Sequence, residues 1–554
     1  MTVFLAESDG VVSLKKRRKL AQKQLLCYLC TFLWIFVTSS CAEKAQVASS
    51  SSSQETSKEA AVASSSVLQA APLRLAPANG KIGEGQPQVG VFFMPSWDAG
   101  TGKNARDVFW ACLQGKEDCP FVKDPNIWGP KGRIYNAKYP YEGPYLDKQP
   151  HPSLKGFYRR DDPEVVKKQL EYMKSYGIDF FAYNWFFGRH YYYHRYFGPQ
   201  AKLYYPEGWA IDDQRDGRVA VPGVEEWTEQ LEALLKANDQ LPKEKRMKFV
   251  LNWVDDGNDR WLAWLSLGSP DNVKNKVNYV GEAPSKELFL KVHDKMTLLW
   301  IEKYFKRDDY LKDEEGRPIL YWYFPHDTEA RAAFYGLSMK QLLARSQQLA
   351  KEAGFKGIKF IAVTSGSMQR EELPYAMPTL WKAKDPKKPW LGGTYEKKLL
   401  FQDYVPRLKE MGFEGMTAYV YHSYDSQYNF SYEDMRKTYR NHWDRWSKFF
   451  QNDPKFEYQV PVAMGWNRKP LGGTWSQPSG FPSEPAKDEV ISSKTSFKEK
   501  LQEAKQVTQR YQEINGNTVM ICCWNEYLEG NHIEPTVGHG FDYLEAIREV
   551  FGTK

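Results

Sequence analysis

The sequence predicts an α/β fold, a (β/α)8 TIM barrel with long βα loops, preceded by a signal peptide and a disordered tether. Eight near-continuous apolar runs lie between residues 88 and 525, and an amphipathic helical pattern follows each. Such runs are typical of parallel strands buried on both faces, and eight alternations match a barrel. A doubly wound open sheet is the alternative, but the glycine-rich phosphate turn typical of that fold does not follow the first strand.

The predicted strands are the apolar runs themselves. They span residues 88–97, 179–187, 246–254, 318–325, 356–366, 415–421, 458–466 and 518–525. The first helix begins at Asp162-Pro163, because Asp162 is a good N-cap and proline fits the first helical position, and it ends before Gly177. The other helices are predicted at about 225–238, 287–305, 337–353, 397–411, 432–450, 495–514 and 541–551.

Three long insertions follow strand ends, at residues 98–161, 188–224 and 467–494. Barrel active sites are built from loops at this end of the strands. The insertions are rich in Tyr, Trp, Pro and Gly, which favours the walls of a glycan cleft over a second domain.

The first 40 residues predict an export signal. A basic cluster at 15–19 precedes an apolar run at 25–37 and small residues that end at Cys41. The run is too short to span a bilayer, which needs about 20 apolar residues. This pattern resembles a bacterial lipoprotein signal with Cys41 as the lipidated first residue of the mature chain. An ordinary secretory signal is the alternative, and both export the protein.

Residues 41–80 are rich in Ser, Ala, Gln and Glu and lack the apolar content needed to fold. The predicted organisation is a signal peptide (1–40), a disordered tether (41–80) and a catalytic domain (81–554). We expect a monomer anchored to the bacterial cell envelope through lipid alone, at the outer membrane or cell surface, or otherwise in the periplasm. Four of the seven net positive charges lie in the signal, and without a basic stripe or motif nucleic acid is not an expected partner.

The cysteines predict no metal centre. Cys112 and Cys119 lie in a predicted loop and are able to pair in an oxidising compartment, whereas Cys522 and Cys523 are expected to be buried thiols in the last strand. No Cys/His spacing resembles a zinc site, so neither a metal nor another cofactor is expected.

Polar and aromatic side chains recur where the predicted strands end. In a barrel these ends open on one mouth, and flat rings with polar edges suit sugars, although core packing is the alternative for any one residue. The candidate sugar contacts are Trp97, Asp98, Tyr183, Trp185, Asn252, Trp253, Tyr421, His422, Trp466, Trp524, Asn525 and Glu534.

Glu526 and Glu529 emerge together after the last predicted strand. Two nearby carboxylates can have their pKa values pushed apart, which supplies a base and an acid at one place. The alternative is that they are solvated loop charges or partners of Arg or Lys. Glu534 makes a weaker candidate, since a glutamate before Pro535 also serves to order the loop.

The segment WNEYLEGNHIEPT at 524–536, followed by Gly540 and by YLEA at 543–546, resembles the C-terminal signature of glycoside hydrolase family 99. It is still more similar to the related WbsX-type family. The resemblance spans about residues 88–551, because weaker segments in the same order agree with those families. These segments are FFMP at 92–95, GFY at 156–158, DPE at 162–164, YGIDFF at 176–181 and GRPILY at 316–321.

The resemblance implies a metal-independent retaining endo-α-mannosidase barrel that forms a 1,2-anhydro sugar. Glu526 would be the base for the sugar 2-hydroxyl, and Glu529 would be the acid for the leaving oxygen and then the base for water. Tyr527-Leu528 stands where family 99 commonly has Trp-His, so mannose itself does not follow. We therefore expect an exported, endo-acting hydrolase of a polysaccharide or complex glycan. A WbsX-type glycosyltransferase and a non-catalytic glycan-binding lipoprotein are the alternatives.

Overall fold

The computed structural model contains a barrel of eight parallel strands, each followed by a helix. The residues whose structure is described are 85–95, 108–116, 143–187, 219–220, 225–226, 228–254, 278–279, 286–325, 328–329, 332, 336–364, 381–383, 393–395, 401–421, 423–424, 427–428, 431–453, 455–467, 489–512 and 516–552.

The barrel strands are short, and most of their residues are buried. They are β1 (Gln88–Phe93), β2 (Phe180–Phe187), β3 (Lys248–Val254), β4 (Ile319–Tyr323), β5 (Lys359–Thr364), β6 (Gly415–Ala418), β7 (Val460–Ala463, preceded by Glu457–Tyr458) and β8 (Thr518–Cys522).

The barrel closes through β7. Neighbouring strands pair in parallel from β1 to β6, and β8 pairs with β1. Glu457–Tyr458 pairs with β6, whereas Val460–Ala463 pairs with β8. Between them the Gln459 amide donates to Met416 O at 3.0 Å, so a single stretch of chain joins the two ends of the sheet. The predicted (β/α)8 fold is therefore confirmed.

Eight helices alternate with these strands, and each predicted helix is present within a few residues of its expected bounds. They are α1 (Pro163–Ser175), α2 (Glu229–Asp239), α3 (Lys286–Leu299, continued by the π-helix Trp300–Phe305), α4 (Met339–Glu352), α5 (Phe401–Met411), α6 (Tyr432–Phe450), α7 (Lys494–Arg510) and α8 (Asp542–Phe551).

Local signals set the ends of α1 as the sequence predicts. The Asp162 side chain accepts hydrogen bonds from the amides of Glu164 and Val165, and Pro163 occupies the first helical position. After the helix, Gly177 has φ of 86°, a left-handed conformation that glycine adopts without steric cost.

Shorter elements decorate the barrel. The helical ones are Val108–Gln114, Leu146–Lys148, Pro152–Leu154, Lys243–Lys245 and Tyr527–Glu529. The two-stranded pairs are Val219–Ala220 with Asn278–Tyr279, Trp381–Ala383 with Gly393–Tyr395, Ser423–Tyr424 with Gln427–Tyr428, Gly465–Asn467 with Glu489–Ile491, and Asn525–Glu526 with Asn531–His532, while Glu225–Glu226 pairs with β2.

The structure corrects the ends of two predicted strands. The last one stops at Cys522, and the predicted strand at 458–466 stops at Ala463, because the residues beyond both leave the barrel for separate antiparallel pairs. Cys522 and Cys523 are joined by a disulfide and are therefore not the two free thiols expected. Cys112 is also disulfide-bonded, and Cys119 lies outside the described residues.

The predicted signal, Cys41 and the whole tether lie outside the described residues, as do most of the three insertions. Among the helices that the structure describes, none is both long and apolar enough to cross a membrane.

Gly90 provides a test of the barrel interior. A Cβ atom there would lie 2.3 Å from Phe180 Cζ and 2.5 Å from Met520 Sδ. Overpacking of a core costs about 1–3 kcal/mol, so we expect Gly90→Ala to lower the free energy of unfolding by about that amount in urea titrations. Gly85→Ala is the control, since its nearest atoms lie at 3.6 Å. Equal urea midpoints for the two variants would contradict the close packing of Phe180 and Met520 around Gly90.

Candidate active site

Glu526 and Glu529 lie at the carboxyl end of β8. Glu526 ends a two-residue strand, and Tyr527–Glu529 forms one 3-10 turn. Gly530 then adopts φ of 58°, and Asn531–His532 pairs back with the strand before the turn. This tight reversal holds both carboxylates close to the end of the barrel strands, where barrel enzymes carry their chemistry.

The two carboxylates interact in a largely buried site. Glu526 is 8% exposed, and Glu529 is half-buried. Burial raises the pKa of Glu526 well above its usual value, and the negative charge of Glu529 raises it further. Two like charges in a low-dielectric site disfavour each other. The pair therefore retains a proton at pH values at which exposed carboxyl groups have lost theirs.

A line of polar side chains crosses the mouth and ends at Glu526. The Tyr419 hydroxyl, just after β6, donates to Glu526 Oε2 at 3.4 Å and accepts from Asn184 Nδ2 at 3.5 Å. Asn252 Nδ2 in turn donates to Asn184 Oδ1 at 2.8 Å. Among the described residues, none provides a hydrogen-bond partner for the buried Asn252 Oδ1 atom. The site thus offers two carboxylates, a phenol and the Asn184 amide, groups with which proteins hold hydroxylated ligands, while Asn252 is completely buried and supports Asn184.

Asn184 and Tyr419 are site residues that the sequence predictions omitted. Asn184 lies between Tyr183 and Trp185, two residues that were selected, and Tyr419 lies two positions before the selected Tyr421. Successive side chains of a strand point to opposite faces. Alternation therefore separates Asn184 from both aromatic neighbours, and its polar side chain within an apolar run was the signal that could have selected it.

Three predicted sugar contacts face away from the mouth. Tyr183 stacks on Phe93 with ring centroids 5.6 Å apart. Trp185 and Trp253 lie 5.5 Å and 6.0 Å from the ring of Trp300, in the core between the strands and α3. All three rings are completely buried. Their position is explained by packing, and we remove them from the candidate sugar contacts.

Tyr421 is corrected in the same way. Its ring stacks on His442 of α6 at 4.0 Å, and its hydroxyl lies 3.3 Å from that of Tyr458 in the core. Trp466 is half-buried on Gly465–Asn467. This segment adjoins the turn after the glutamates, since a Cβ on Gly530 would lie 2.5 Å from Asn467 Cβ. Trp466 stays a predicted sugar contact, whereas Asn252 is completely buried and donates to Asn184 instead, which corrects its predicted sugar contact.

Trp97, Asp98 and His422 lie outside the described residues, and their roles stay predictions. Trp524, Asn525 and Glu534 are described and lie beneath the mouth. Each is completely buried, and Asn525 Oδ1 accepts from the Met94 amide at 2.8 Å, which ties the end of β8 to the end of β1. Burial corrects the prediction that these three touch a sugar.

Glu534 is surrounded by hydrogen-bond donors. Its Oε1 accepts from Gln169 Nε2 at 2.7 Å and from Trp524 Nε1 at 3.0 Å. Its Oε2 accepts from the Tyr158 hydroxyl at 2.9 Å and from the Tyr527 hydroxyl. Burial raises the pKa of Glu534 to about 6, although the four donors act in the opposite direction.

Within the described residues, no group of three or more His, Cys, Asp or Glu side chains is placed to hold a metal ion.

Three solved structures illustrate what the chain is similar to. A "Glycoside hydrolase-like protein" has 12% identity and a TM-score of 0.43, with 87% of this chain and 97% of that chain covered. The GH99 endo-alpha-mannosidase from Bacteroides thetaiotaomicron appears twice at 11% identity and 84% coverage of this chain. The structure with bis-tris propane has a TM-score of 0.38 and 95% of that chain covered, and the other has 0.39 and 97%. No curated protein matches the chain.

A family model matches the amino-acid sequence of the chain. The model described as "Glycosyltransferase WbsX" matches residues 227–547, a region that runs from α2 to α8 and includes Glu526, Glu529 and most of the polar line. This match covers more than half of the chain, and the protein belongs to the WbsX family.

Proposed function

We propose that this protein is a glycoside hydrolase that cleaves a polysaccharide or complex glycan. The observation that carries the proposal is the buried pair Glu526 and Glu529 at the carboxyl end of β8, with the Tyr419 hydroxyl on Glu526. A carboxylate pair that retains one proton contains both the base and the acid that glycoside cleavage requires. Polar groups on neighbouring strands provide partners for sugar hydroxyls.

The family resemblance assigns the base to Glu526 and the acid to Glu529. Burial favours the proton of the pair on Glu526 in the free site, so the reaction begins once that proton lies on Glu529. Glu526 takes the proton of the sugar 2-hydroxyl, and that oxygen bonds to the anomeric carbon as the glycosidic bond breaks. Glu529 gives its proton to the leaving oxygen. In the second step Glu529 takes a proton from water, which attacks the anomeric carbon and opens the 1,2-anhydro ring, while Glu526 returns its proton to the 2-oxygen. The configuration is retained without a covalent glycosyl-enzyme, unlike in the usual retaining scheme.

The N-terminal sequence supports a location outside the cytoplasm for this activity. We propose a lipid anchor at Cys41, a flexible tether and a monomeric barrel that meets its glycan in the cell envelope. The tether composition supports reach without a fixed orientation. Palmitate labelling of the expressed chain and of Cys41→Ala tests the anchor, and equal labelling of both would contradict it.

Digestion of a glycan library, followed by mass analysis of the products, tests the proposed activity. We expect shortened oligosaccharides, with endo cleavage appearing as internal fragments and not as single sugars. Glycans that are retained by the protein but never shortened would favour the non-catalytic binding alternative and contradict hydrolysis.

A glycosyltransferase is the second candidate function, and the name of the matching family favours it. A transferase binds an activated sugar donor, so calorimetric titration with a panel of nucleotide sugars separates the two reactions. We expect no binding. Micromolar binding, together with lengthened products when glycan and donor are mixed, would establish the transferase instead.

Tyr419→Phe tests the contact to the proposed base. The hydrogen bond from Tyr419 lowers the pKa of Glu526, so removing it raises that pKa. Because a base acts only when ionised, the acidic limb of the kcat/KM profile moves to higher pH. We expect about a 10-fold loss of kcat/KM below that limb, consistent with one hydrogen bond to a charged group.

Tyr421→Phe is the matched control for Tyr419→Phe, because the Tyr421 hydroxyl meets Tyr458 on the other side of the sheet. Its pH profile is expected to coincide with that of the wild type. A profile for Tyr419→Phe that also coincides with the wild type would remove Tyr419 from the site.

A further inference from the structure

We infer that Glu534 is a positioning residue, which fixes the backbone that carries Glu526 and Glu529 through its hydrogen bonds to Trp524 and Tyr527. The inference rests on the proposed function for its kinetic consequences. Its structural part is testable without any substrate: one anchored carboxylate holds residues 526–530, which we name the catalytic turn.

The hydrogen bonds of Glu534 bracket the proposed base. Trp524 lies two residues before Glu526 and Tyr527 lies immediately after it, and each donates to a different oxygen of the same carboxylate. The main chain is tied as well, since the Glu534 amide donates to Trp524 O at 2.8 Å. A shift of the Glu534 carboxylate would therefore move both sides of Glu526 and the start of the turn that ends at Glu529.

Two further donors fix this carboxylate to the barrel wall. Tyr158 lies in the loop after β1, and Gln169 belongs to α1. Gln169 Oε1 accepts in turn from Gln230 Nε2 of α2 at 3.4 Å. Through Glu534, the catalytic turn is therefore hydrogen-bonded to a loop and two helices that lie far from it along the chain.

The packing around the donors restricts them further. The Trp110 ring contacts the rings of Tyr158 and Tyr527, with centroids 5.3 Å apart in each case. Trp110 Nε1 also donates to Tyr158 O at 3.0 Å. Trp110 belongs to the short helix Val108–Gln114 within the first insertion, so part of this insertion supports the catalytic turn from behind.

An ionised carboxylate matches the four donors because it has about four lone-pair sites and no hydrogen to donate. A glutamine that keeps its oxygen toward Gln169 and Trp524 turns its amide hydrogens toward the two tyrosine hydroxyls, which then lose their acceptor and have to rotate. Replacement of Glu534 by glutamine keeps the size and breaks this match. A buried polar group left unsatisfied is costly, and the cost is relieved by movement of the turn.

The test compares Glu534→Gln with Asp309→Asn. Asp309 is another buried carboxylate, which accepts from Asn238 Nδ2 at 2.8 Å and from Arg307 Nε at 2.8 Å. It lies between α3 and β4, and its carbonyl accepts from the Phe249 amide at 3.1 Å at the amino-terminal end of β3, the end of a barrel where side chains contribute to stability. Both variants are expected to unfold at lower urea concentration, but only Glu534→Gln is expected to lose turnover.

For Glu534→Gln we expect kcat to fall about 100-fold with KM within about 3-fold of the wild type, since small misplacements of catalytic groups cost about that much. The double variant Gln169→Glu with Glu534→Gln returns a carboxylate to the cluster and is expected to recover at least about 10-fold. A kcat within 3-fold of the wild type would overturn the inference. A rise in KM at constant kcat would do so as well, because it would indicate a substrate contact.

Hydrogen–deuterium exchange of the free protein separates this inference from the proposed function. Glu534→Gln is expected to speed exchange at residues 524–535 and leave the peptides around Asp309 unchanged. Unchanged exchange at 524–535 would overturn the inference even if the wild type cleaves no glycan.

If Glu534→Gln fails to fold, Tyr527→Phe removes one donor and retains the buried carboxylate. A kcat loss below 2-fold and unchanged exchange in that variant would then overturn it.

Discussion

Glu526→Gln is expected to lower kcat by at least about 1,000-fold on a glycan that the wild type cleaves. The amide cannot accept the proton of the sugar 2-hydroxyl, and general base catalysis contributes about 10²–10⁴-fold. The loss should appear in kcat and kcat/KM together, because proton transfer occurs only in the transition state. Initial rates of reducing-end release, measured at saturating glycan, provide the comparison.

The same variant has an expected effect on stability with a definite sign. The pKa of Glu526 is raised in the folded state, so ionisation of this carboxyl costs stability as the pH rises above its unfolded pKa. A neutral glutamine avoids that cost and the repulsion with Glu529. We therefore expect Glu526→Gln to melt at or above the wild-type temperature at neutral pH, which excludes unfolding as the cause of lost turnover.

Two controls sharpen the Glu526 experiment. Glu549→Gln changes a carboxylate of α8 that pairs with Lys498 at the surface and should leave kcat unchanged. A glycan whose 2-hydroxyl is methylated at the cleaved residue should resist the wild type, because the proposed nucleophile is then blocked. Near wild-type turnover by Glu526→Gln, or rapid cleavage of the methylated glycan, would contradict the role of Glu526.

The barrel was predictable because its signal is local and repeated. Each strand is an apolar run and each helix is an amphipathic segment. An error in the bounds of one element therefore does not change the number of strands and helices. The end of β8 was less predictable. Cys523 and Trp524 are as apolar as the strand, and only the pairing of Asn525 with His532 shows that the chain has left the barrel.

The site was only partly predictable, and the reason is geometric. The sequence marks Asn252-Trp253 as one candidate, but neighbours on a strand cannot share a face. Which face meets the mouth depends on the register of the closed barrel and on Trp300, which buries Trp253 behind the sheet. An apolar strand buried on both faces carries no hydrophobic alternation to decide between them.

The surroundings of Glu534 were beyond the reach of sequence patterns. Tyr158 and Gln169 lie 376 and 365 residues away along the chain, and no spacing rule links residues so far apart. Composition indicated a glutamate that orders its loop or touches a sugar. The observed burial and the four donors decide between those two interpretations in favour of the first.

Glu529→Gln is expected to depend on the leaving group, which distinguishes it from Glu526→Gln. On a natural glycan the leaving alkoxide needs a proton, and we expect kcat to fall at least about 1,000-fold. From an aryl glycoside of an acidic phenol, the phenolate leaves without that proton. The rate of the bond-breaking step should therefore be largely restored. The slow step then becomes attack by water, for which the glutamine provides no base.

Azide bypasses that slow step, because it attacks the anomeric carbon without needing a base. For Glu529→Gln with an aryl glycoside, azide should therefore raise turnover and yield a glycosyl azide of retained configuration. Glu526→Gln should respond to neither the aryl substrate nor azide, since the 2-hydroxyl still has no base. The two carboxylates lie on one turn and their charges interact, so only this difference in response separates the acid from the base. Equal losses on both substrates, without rescue, would place the acid on a group other than Glu529.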